Sequence, residues 1–305
     1  MNVTISRAQL RSRYRITGQL VFETALHIGG GRNPAASTDS PVVRDGAGLP
    51  FIPGSSIKGA VRAAVEKIIP NLGLTACGLT DASVKCLTAW SNSNPNEEKL
   101  KAYEAVREAV GRDPKAIREM EKKLRLLGNP PLDNEGKISE ETLLHILDSH
   151  LCQVCKTFGA PTLASVIHFH DAPVVEDLWI GVTQVRDGVG IDRDSERARS
   201  QIKFDFEVVP PSTFFALKIT LENPQPVDLG LTALALQELI AGMIPLGGIR
   251  SRGLGRCRLH EPKIEWVDFS DKNMLRDYLL SGKMTPKPFE AFIKEGLDTL
   301  LKQGD

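Results

Sequence analysis

The chain has 305 residues, 41% of them hydrophobic and 25% charged, a composition that excludes wholesale disorder, collagen and coiled coil. It is long enough for one large or two modest domains with a core that needs no disulfide staples. Lys plus Arg and Asp plus Glu number 38 each, so the net charge is zero and any polyanion-binding surface must concentrate basic residues locally.

The start of the chain, through Arg7, Arg11, Arg13 and Arg15, has no apolar stretch of a secretory signal. The most apolar window, residues 229–249, is broken by Gln237, Glu238, Gly242 and Pro245, and reads as a buried helix and turn with no membrane partner. Five cysteines without an export signal point to a reducing, cytoplasmic setting, where a cysteine constellation is more readily a metal site than a disulfide.

In chain order, Tyr14, Ile16, Leu20 and Phe22 alternate with Arg15, Thr17, Gln19 and Glu23, which predicts a strand with one buried face. Ile57, Val61, Ala64, Val65 and Ile68 share one face of a helix starting near Ser55 or Ser56, either a good N-cap, and ending before Pro70. Residues 94–150 are rich in Glu and Lys and are broken at Asn129-Pro130-Pro131, which predicts a mostly helical insertion with solvated faces. Two further alternating runs follow: Ile202, Phe204, Phe206 and Val208, then Phe215, Leu217, Ile219 and Leu221. The turn Pro210-Pro211-Ser212 between them predicts an antiparallel pair. Leu231, Leu234 and Leu239 mark another helix, and Phe289, Phe292, Ile293, Leu297, Leu300 and Leu301 a last one. The pattern is an α+β sandwich of sheet and helices, without internal repeats.

Four segments carry residues suited to chemistry. The first runs from Gly29-Gly30-Gly31-Arg32 through Asp39, Arg44 and Asp45 to Gly54-Ser55-Ser56-Ile57-Lys58-Gly59. A helix N-terminus there would offer N–H groups to a phosphate, with Lys58 and Arg62 one and two turns in, although the spacing of a P-loop is missing. An ordinary capped helix accounts for the same residues. The second, Pro245 to Arg256, mixes Gly247, Gly248, Gly253 and Gly255 with Arg250, Arg252 and Arg256. It suits backbone-to-phosphate contact, the alternative being a hairpin turn with solvated arginines. The third, Thr183 to Lys203, holds Arg186, Arg193, Arg197 and Arg199 and reads as a protruding hairpin with a basic rim, or else as a solvated loop.

The fourth is metal-like. Cys152 and Cys155 have the gap of half a zinc knuckle, with His145 and His150 before them, and Cys77 and Cys86 could complete a site. Buried thiols acting as small hydrophobes are the alternative, and Cys257 reads as core. His168 and His170 fall on one strand face beside Asp171, where they read as polar residues packed in a sheet, a functional role being the less common alternative. No Ser/His/Asp order, HExxH, GxGxxG or Walker motif occurs, so catalysis would fall to acids such as Asp39 and Asp45 or to histidines.

The same segments resemble the RAMP superfamily, specifically the backbone subunits of type III CRISPR effector complexes. The likeness rests on STDSPVVRDGAGLPFIPGSSIKGAVR (residues 37–62), CQVCKTFGAPTLASVIHFHDA (152–172), VGIDRDSERARSQIKFDFEVVPPSTFFALKI (189–219) and PLGGIRSRGLGR (245–256). It implies a single RAMP domain over residues 1–305, with a ferredoxin-like RNA-recognition core, an inserted helical, zinc-type subdomain at 71–155 and a thumb hairpin at 183–204. It implies a subunit that stacks along guide RNA (crRNA) with other effector subunits and cleaves complementary target RNA with Mg²⁺. In slicing members an Asp in the loop before an Asn-Pro-Val-Ile-Arg-Asp motif does the cutting, and the matching residue is Asp39, with Ser40 where Asn is usual. The Cys-rich part resembles a structural Zn²⁺ site, which would draw on Cys77, Cys86, Cys152 and Cys155. The resemblance leaves two other readings open: a non-catalytic RNA-binding backbone subunit, and a guide-processing endonuclease relying on an early histidine, here His27.

Overall fold

A computed structural model describes residues 9–31, 38–77, 86–87, 97–191, 194 and 198–302. The first alternating run forms β1 (Ser12–Phe22), with Ile16, Leu20 and Phe22 buried. After a short β2 (Phe51–Ile52), helix α1 (Gly54–Ile68) buries Ile57, Val61 and Val65 at four-residue spacing. Its N-terminus differs from the expectation at Ser55 or Ser56. Pro53 is the N-cap, preset by its fixed φ, and the missing side-chain cap is supplied from afar, Asp171 Oδ1 accepting the Gly54 amide at 2.7 Å.

The insertion contains α2 (Glu97–Glu108), α3 (Met120–Leu126) and α4 (Glu140–His150). Its buried side chains, among them Tyr103, Val106, Met120 and Ile146, join the same apolar cluster as the main sheet. Helix α5 (Gln153–Phe158), β3 (Ile167–Phe169) and β4 (Ala172–Pro173) lead back to the sheet. Next come β5 (Gln184–Ile191), β6 (Ala198–Val208), β7 (Phe214–Glu222) and α6 (Pro226–Ile240). The chain ends with β8 (Cys257–Asp268), α7 (Lys272–Ser281), β9 (Thr285–Lys287) and α8 (Phe289–Leu301).

The main sheet has the order β3-β7-β1-β8-β9 with every neighbouring pair antiparallel. Register places Ile16 beside Ile219 and Ile264, and Leu20 beside Phe215 and Leu259, so one face of three strands is continuously apolar. Each such fully buried side chain contributes about 1.5–3 kcal/mol relative to exposure. Helices α6 and α8 pack on each other and on this sheet. Asp228, buried at the start of α6, accepts Thr157 Oγ1 at 2.5 Å and Gln153 Nε2 at 3.3 Å, which ties α5 to α6.

The predicted pairing of the runs at 202–208 and 215–221 is corrected. β6 pairs with β5 in a separate two-stranded sheet, while β7 lies between β1 and β3. The turn at 210–212 hooks around the end of β1, where Phe22 O accepts the Ser212 amide at 2.7 Å and Thr213 O accepts the Phe22 amide at 3.1 Å. This sends β6 beyond the main sheet. No helix among the described residues is long and apolar enough to cross a membrane.

Candidate nucleic-acid interface and cysteine centre

Beyond β1 the backbone of residues 25–30 serves as a platform for three segments distant in sequence. Leu26 and Val209 exchange N–H···O bonds of 2.9 and 2.8 Å. Gly30 donates to Pro41 O and Val43 to Ile28 O, both at 2.9 Å. Gly248 donates to His27 O at 2.8 Å, and Gly255 to Ala25 O at 2.9 Å. The Asp39 loop, the base of the β5–β6 hairpin and the Gly-rich loop therefore meet.

Asp39 is exposed. Its amide donates to Asp205 Oδ1 at 2.6 Å, and its Oδ2 accepts the Asp205 amide at 3.2 Å, which clasps the loop to β6. Asp45 instead closes a turn, its Oδ1 taking the Ala47 and Leu49 amides at 2.9 Å. His27 is buried, with Nδ1 2.7 Å from Glu207 O; a carbonyl only accepts, so Nδ1 carries hydrogen. Nε2 faces Ser40 Oγ at 3.3 Å. Burial and two engaged ring nitrogens make His27 a bracing group and a poor general base for an outside substrate.

Glu207 is a residue that the sequence reading missed, because a carboxylate in an alternating strand reads as solvent-facing. It accepts the Val42 amide at 2.9 Å, Arg44 Nη2 at 2.6 Å and the Thr183 hydroxyl. Burial pushes its carboxyl up, but the bonds from Thr183, Val42 and Arg44 outweigh that and hold it below the usual carboxylate range.

The Gly-rich loop is shaped by close backbone approach. A Cβ on Gly247 (φ 83°) would lie 2.4 Å from His27 O, and one on Gly255 (φ 82°) 1.9 Å from Leu246 O. The loop also serves the core, because Leu246 just before its first glycine and Leu254 between Gly253 and Gly255 are buried. Arg250 and Arg252 are exposed in a single 3₁₀ turn, and Gly248 and Gly253 on either side of it are exposed too. Arg256 pairs with Glu23 at 2.7 Å, and Arg44 is held by Glu207 and by Gly48 O at 2.9 Å. Arg186 and Ser55 are exposed, and Ser56 is half-buried. Lys58 is half-buried too, its amine lowered by burial and by the Arg62 cation. Arg32, Arg193 and Arg197 lie outside the described residues.

The four cysteines come together. The sulfurs of Cys77, Cys86, Cys152 and Cys155 all lie within 4.8 Å of one another, and all four residues are buried. A tetrahedral ion with metal–sulfur bonds of about 2.3 Å needs sulfurs roughly 3.8 Å apart, so the quartet can hold one metal ion. Amide donors surround the sulfurs: Cys152 N–H to Cys86 Sγ at 3.2 Å and Cys155 N–H to Cys152 Sγ at 3.4 Å. Hydrogen bonds from the neighbouring thiols, Cys155 foremost, hold the Cys152 thiol well below its usual range. The bonds to Cys152 push the Cys86 and Cys155 thiols up, so the quartet does not ionise as a whole by itself and a bound metal ion would have to displace those protons. His145 and His150 are outside this group, His150 being bonded to Ile146 O at 3.0 Å. His170 meets Thr220 Oγ1 at 3.2 Å across the sheet.

Arg62, read from the sequence as a phosphate contact, is instead turned toward this centre. It reaches Glu66 at 2.8 Å, Gly159 O at 2.8 Å and Cys155 Sγ at 3.3 Å. A helix face cannot tell an outward Arg from one reaching a loop a hundred positions on.

A family model described as the RAMP superfamily matches residues 19–258. The chain is 51% identical over 61 residues to a protein of Enterococcus italicus named CRISPR system Cms endoribonuclease Csm3, covering 19% of this chain and 28% of that protein. Proteins of the same name match from Methanocaldococcus jannaschii, at 42% over 60 residues (19% and 24%), and Methanothermobacter thermautotrophicus, at 38% over 76 residues (23% and 31%). The matched stretches span less than a third of each relative's length.

Proposed function

The chain belongs to the RAMP superfamily, and from that premise we propose that it is a backbone subunit of a cytoplasmic type III CRISPR effector complex. In this reading it holds guide RNA, pairs it with complementary target RNA beside other effector subunits, and cuts the target. The observation that carries the reading is the meeting of an exposed Asp39, the hairpin base and the Gly-rich loop on residues 25–30. The path β1–α1–β3–β7–α6–β8 is read as a ferredoxin-like core and the β5–β6 hairpin as its thumb.

Guide backbone would be held by loop amides around Gly247, Gly248 and Gly253 and by Arg250, Arg252 and Arg186. Such contacts position RNA without reading its sequence. A hairpin that unstacks a target nucleotide, at a cost of a few kcal/mol, would bring its ribose phosphate to Asp39. There the carboxylate would accept a hydrogen bond from the ribose 2′-hydroxyl and hold it in line with the adjacent phosphorus. As the 2′-oxygen bonds to phosphorus the bond to the next nucleotide's 5′-oxygen breaks, the 2′ proton passes to the carboxylate side and the leaving 5′-oxygen takes a proton from water. Mg²⁺ takes one or two carboxylates plus substrate phosphates, and among the described residues no carboxylate cluster makes a site for it without RNA. The cysteine quartet would hold Zn²⁺ as a closed, structural site, joining the segment after α1 to the start of α5.

The test uses the assembled complex with guide, labelled complementary RNA and Mg²⁺, comparing wild type with Asp39→Ala. Regularly spaced cuts that vanish in the variant while guide and target binding persist are expected. Equal loss of binding would overturn the catalytic role. One observation favours the non-catalytic scaffold as a second reading: Asp39 Oδ2 already accepts the Asp205 amide, a loop-fixing bond. Unchanged cutting with intact binding would establish that reading.

A further inference from the structure

Arg62 sits on α1, yet none of its nitrogens faces outward to a ligand. Nε donates to Glu66 Oε1 at 2.8 Å, Nη1 to Gly159 O at 2.8 Å and Nη2 to Cys155 Sγ at 3.3 Å. Its side chain is 18% exposed. Glu66 and Gly159 grip the guanidinium on two edges, so the third is aimed at sulfur; a planar fork holds such an orientation where an ammonium would not.

We propose that Arg62 is a positioning residue of the cysteine centre, an outer cation whose N–H bond to Cys155 stabilises the metal-bound thiolate. The proposal rests on the reading of the quartet as a metal site. Binding of a divalent ion releases four thiol protons, and the ion with four thiolates carries a net charge of −2 in a buried place. Among the described residues, the donors at that charge include three: the Cys152 amide at Cys86, the Cys155 amide at Cys152, and Arg62 at Cys155. Two are fixed by the backbone, and Arg62 alone of the three is a cation. It also ties the centre to the middle of α1 and to the turn at Gly159 after α5, so metal retention and the seating of α1 are joined through one side chain. Groups that orient ligands in this way typically govern metal affinity by about 10–100-fold.

The 305-residue chain is loaded with Zn(II), whose transfer to a chromogenic chelator is timed, and a Co(II)-substituted sample is followed by its sulfur-to-cobalt charge-transfer band. Arg62→Met is expected to release Zn(II) about 10–100-fold faster and to shift the cobalt band, with Arg62→Lys intermediate. Glu66→Gln, which keeps Arg62 itself, is expected to stay within about threefold of wild type, because the donor to sulfur is retained. Should Arg62→Met fold poorly, Arg62→Lys and Arg62→Gln provide the same comparison. Wild-type release and an unshifted band in folded Arg62 variants would overturn the proposal. A wild-type chain that takes up neither Zn(II) nor Co(II) would instead refute the metal reading, and the proposal with it.

Discussion

Replacing Glu207 by glutamine removes the charge from the point where the Asp39 loop, the start of the hairpin and β6 are held together. Three donors converge there, the Val42 amide, Arg44 and the Thr183 hydroxyl. A hydrogen bond to a charged group contributes about 1.5–3 kcal/mol when shielded from water. Arg44 is 37% exposed, so its pair adds at most about 1 kcal/mol. A Gln carbonyl in the place of Oε1 still serves Arg44 and Thr183, now without charge, while its amide is pressed against the Val42 N–H; the expected loss is about 2 kcal/mol. With a urea slope of about 2–3 kcal/mol/M, the unfolding midpoint should fall by roughly 0.7–1 M at pH 7. The folded carboxyl lies below its ordinary value of 4.5, so its contribution is complete above that pH. It is lost as pH falls through the folded value, where wild type and variant should converge. Urea melts of the full chain at several pH values read both effects. A midpoint change under about 0.2 M, or a gap that persists undiminished well below pH 4, would refute the reasoning.

Gly255→Ala would force a left-handed residue to carry a Cβ 1.9 Å from the Leu246 carbonyl, so a loss of about 3 kcal/mol or more is expected, read as a urea midpoint shift near 1 M. An unchanged midpoint would show that the loop repacks freely. Paired Arg250→Ala and Arg252→Ala changes should weaken binding of single-stranded RNA alike for all sequences and flatten the log–log salt dependence by about 0.7 per arginine. A sequence-selective loss, or an unaltered slope, would place those arginines away from phosphate.

Local pattern located most elements. Period-two alternation marked β1, β6 and β7, and four-residue spacing of Ile57, Val61 and Val65 marked α1, because each signal depends only on which face of a segment meets the core. The same pattern misassigned the partner of β6, since alternation is blind to which strand lies alongside, and the short turn at 210–212 served to round the end of β1. The two-residue gap between Cys152 and Cys155 was legible as half a metal site. That Cys77 and Cys86 meet them was a candidate in the sequence and a fact only in three dimensions.

The polar residues divide the same way. Gly247 and Gly255 stood out by type and spacing, and Asp39 as a candidate acid beside Asp45 that the family resemblance singled out. Glu207 did not, and Asp171 and Arg62 were read in other roles, because each is held by a partner far away in sequence: the Asp39 loop, the Gly54 amide and the Cys155 sulfur. The sequence by itself determined the longer helices, most of the strands and the small-residue loops, because backbone conformation and facial burial are set within a few residues, whereas the shorter α5 and α7 carried too few periodic positions to be read. Tertiary structure decided which charges are engaged and which remain exposed, because a side chain's partner depends on chain crossings that no local periodicity encodes.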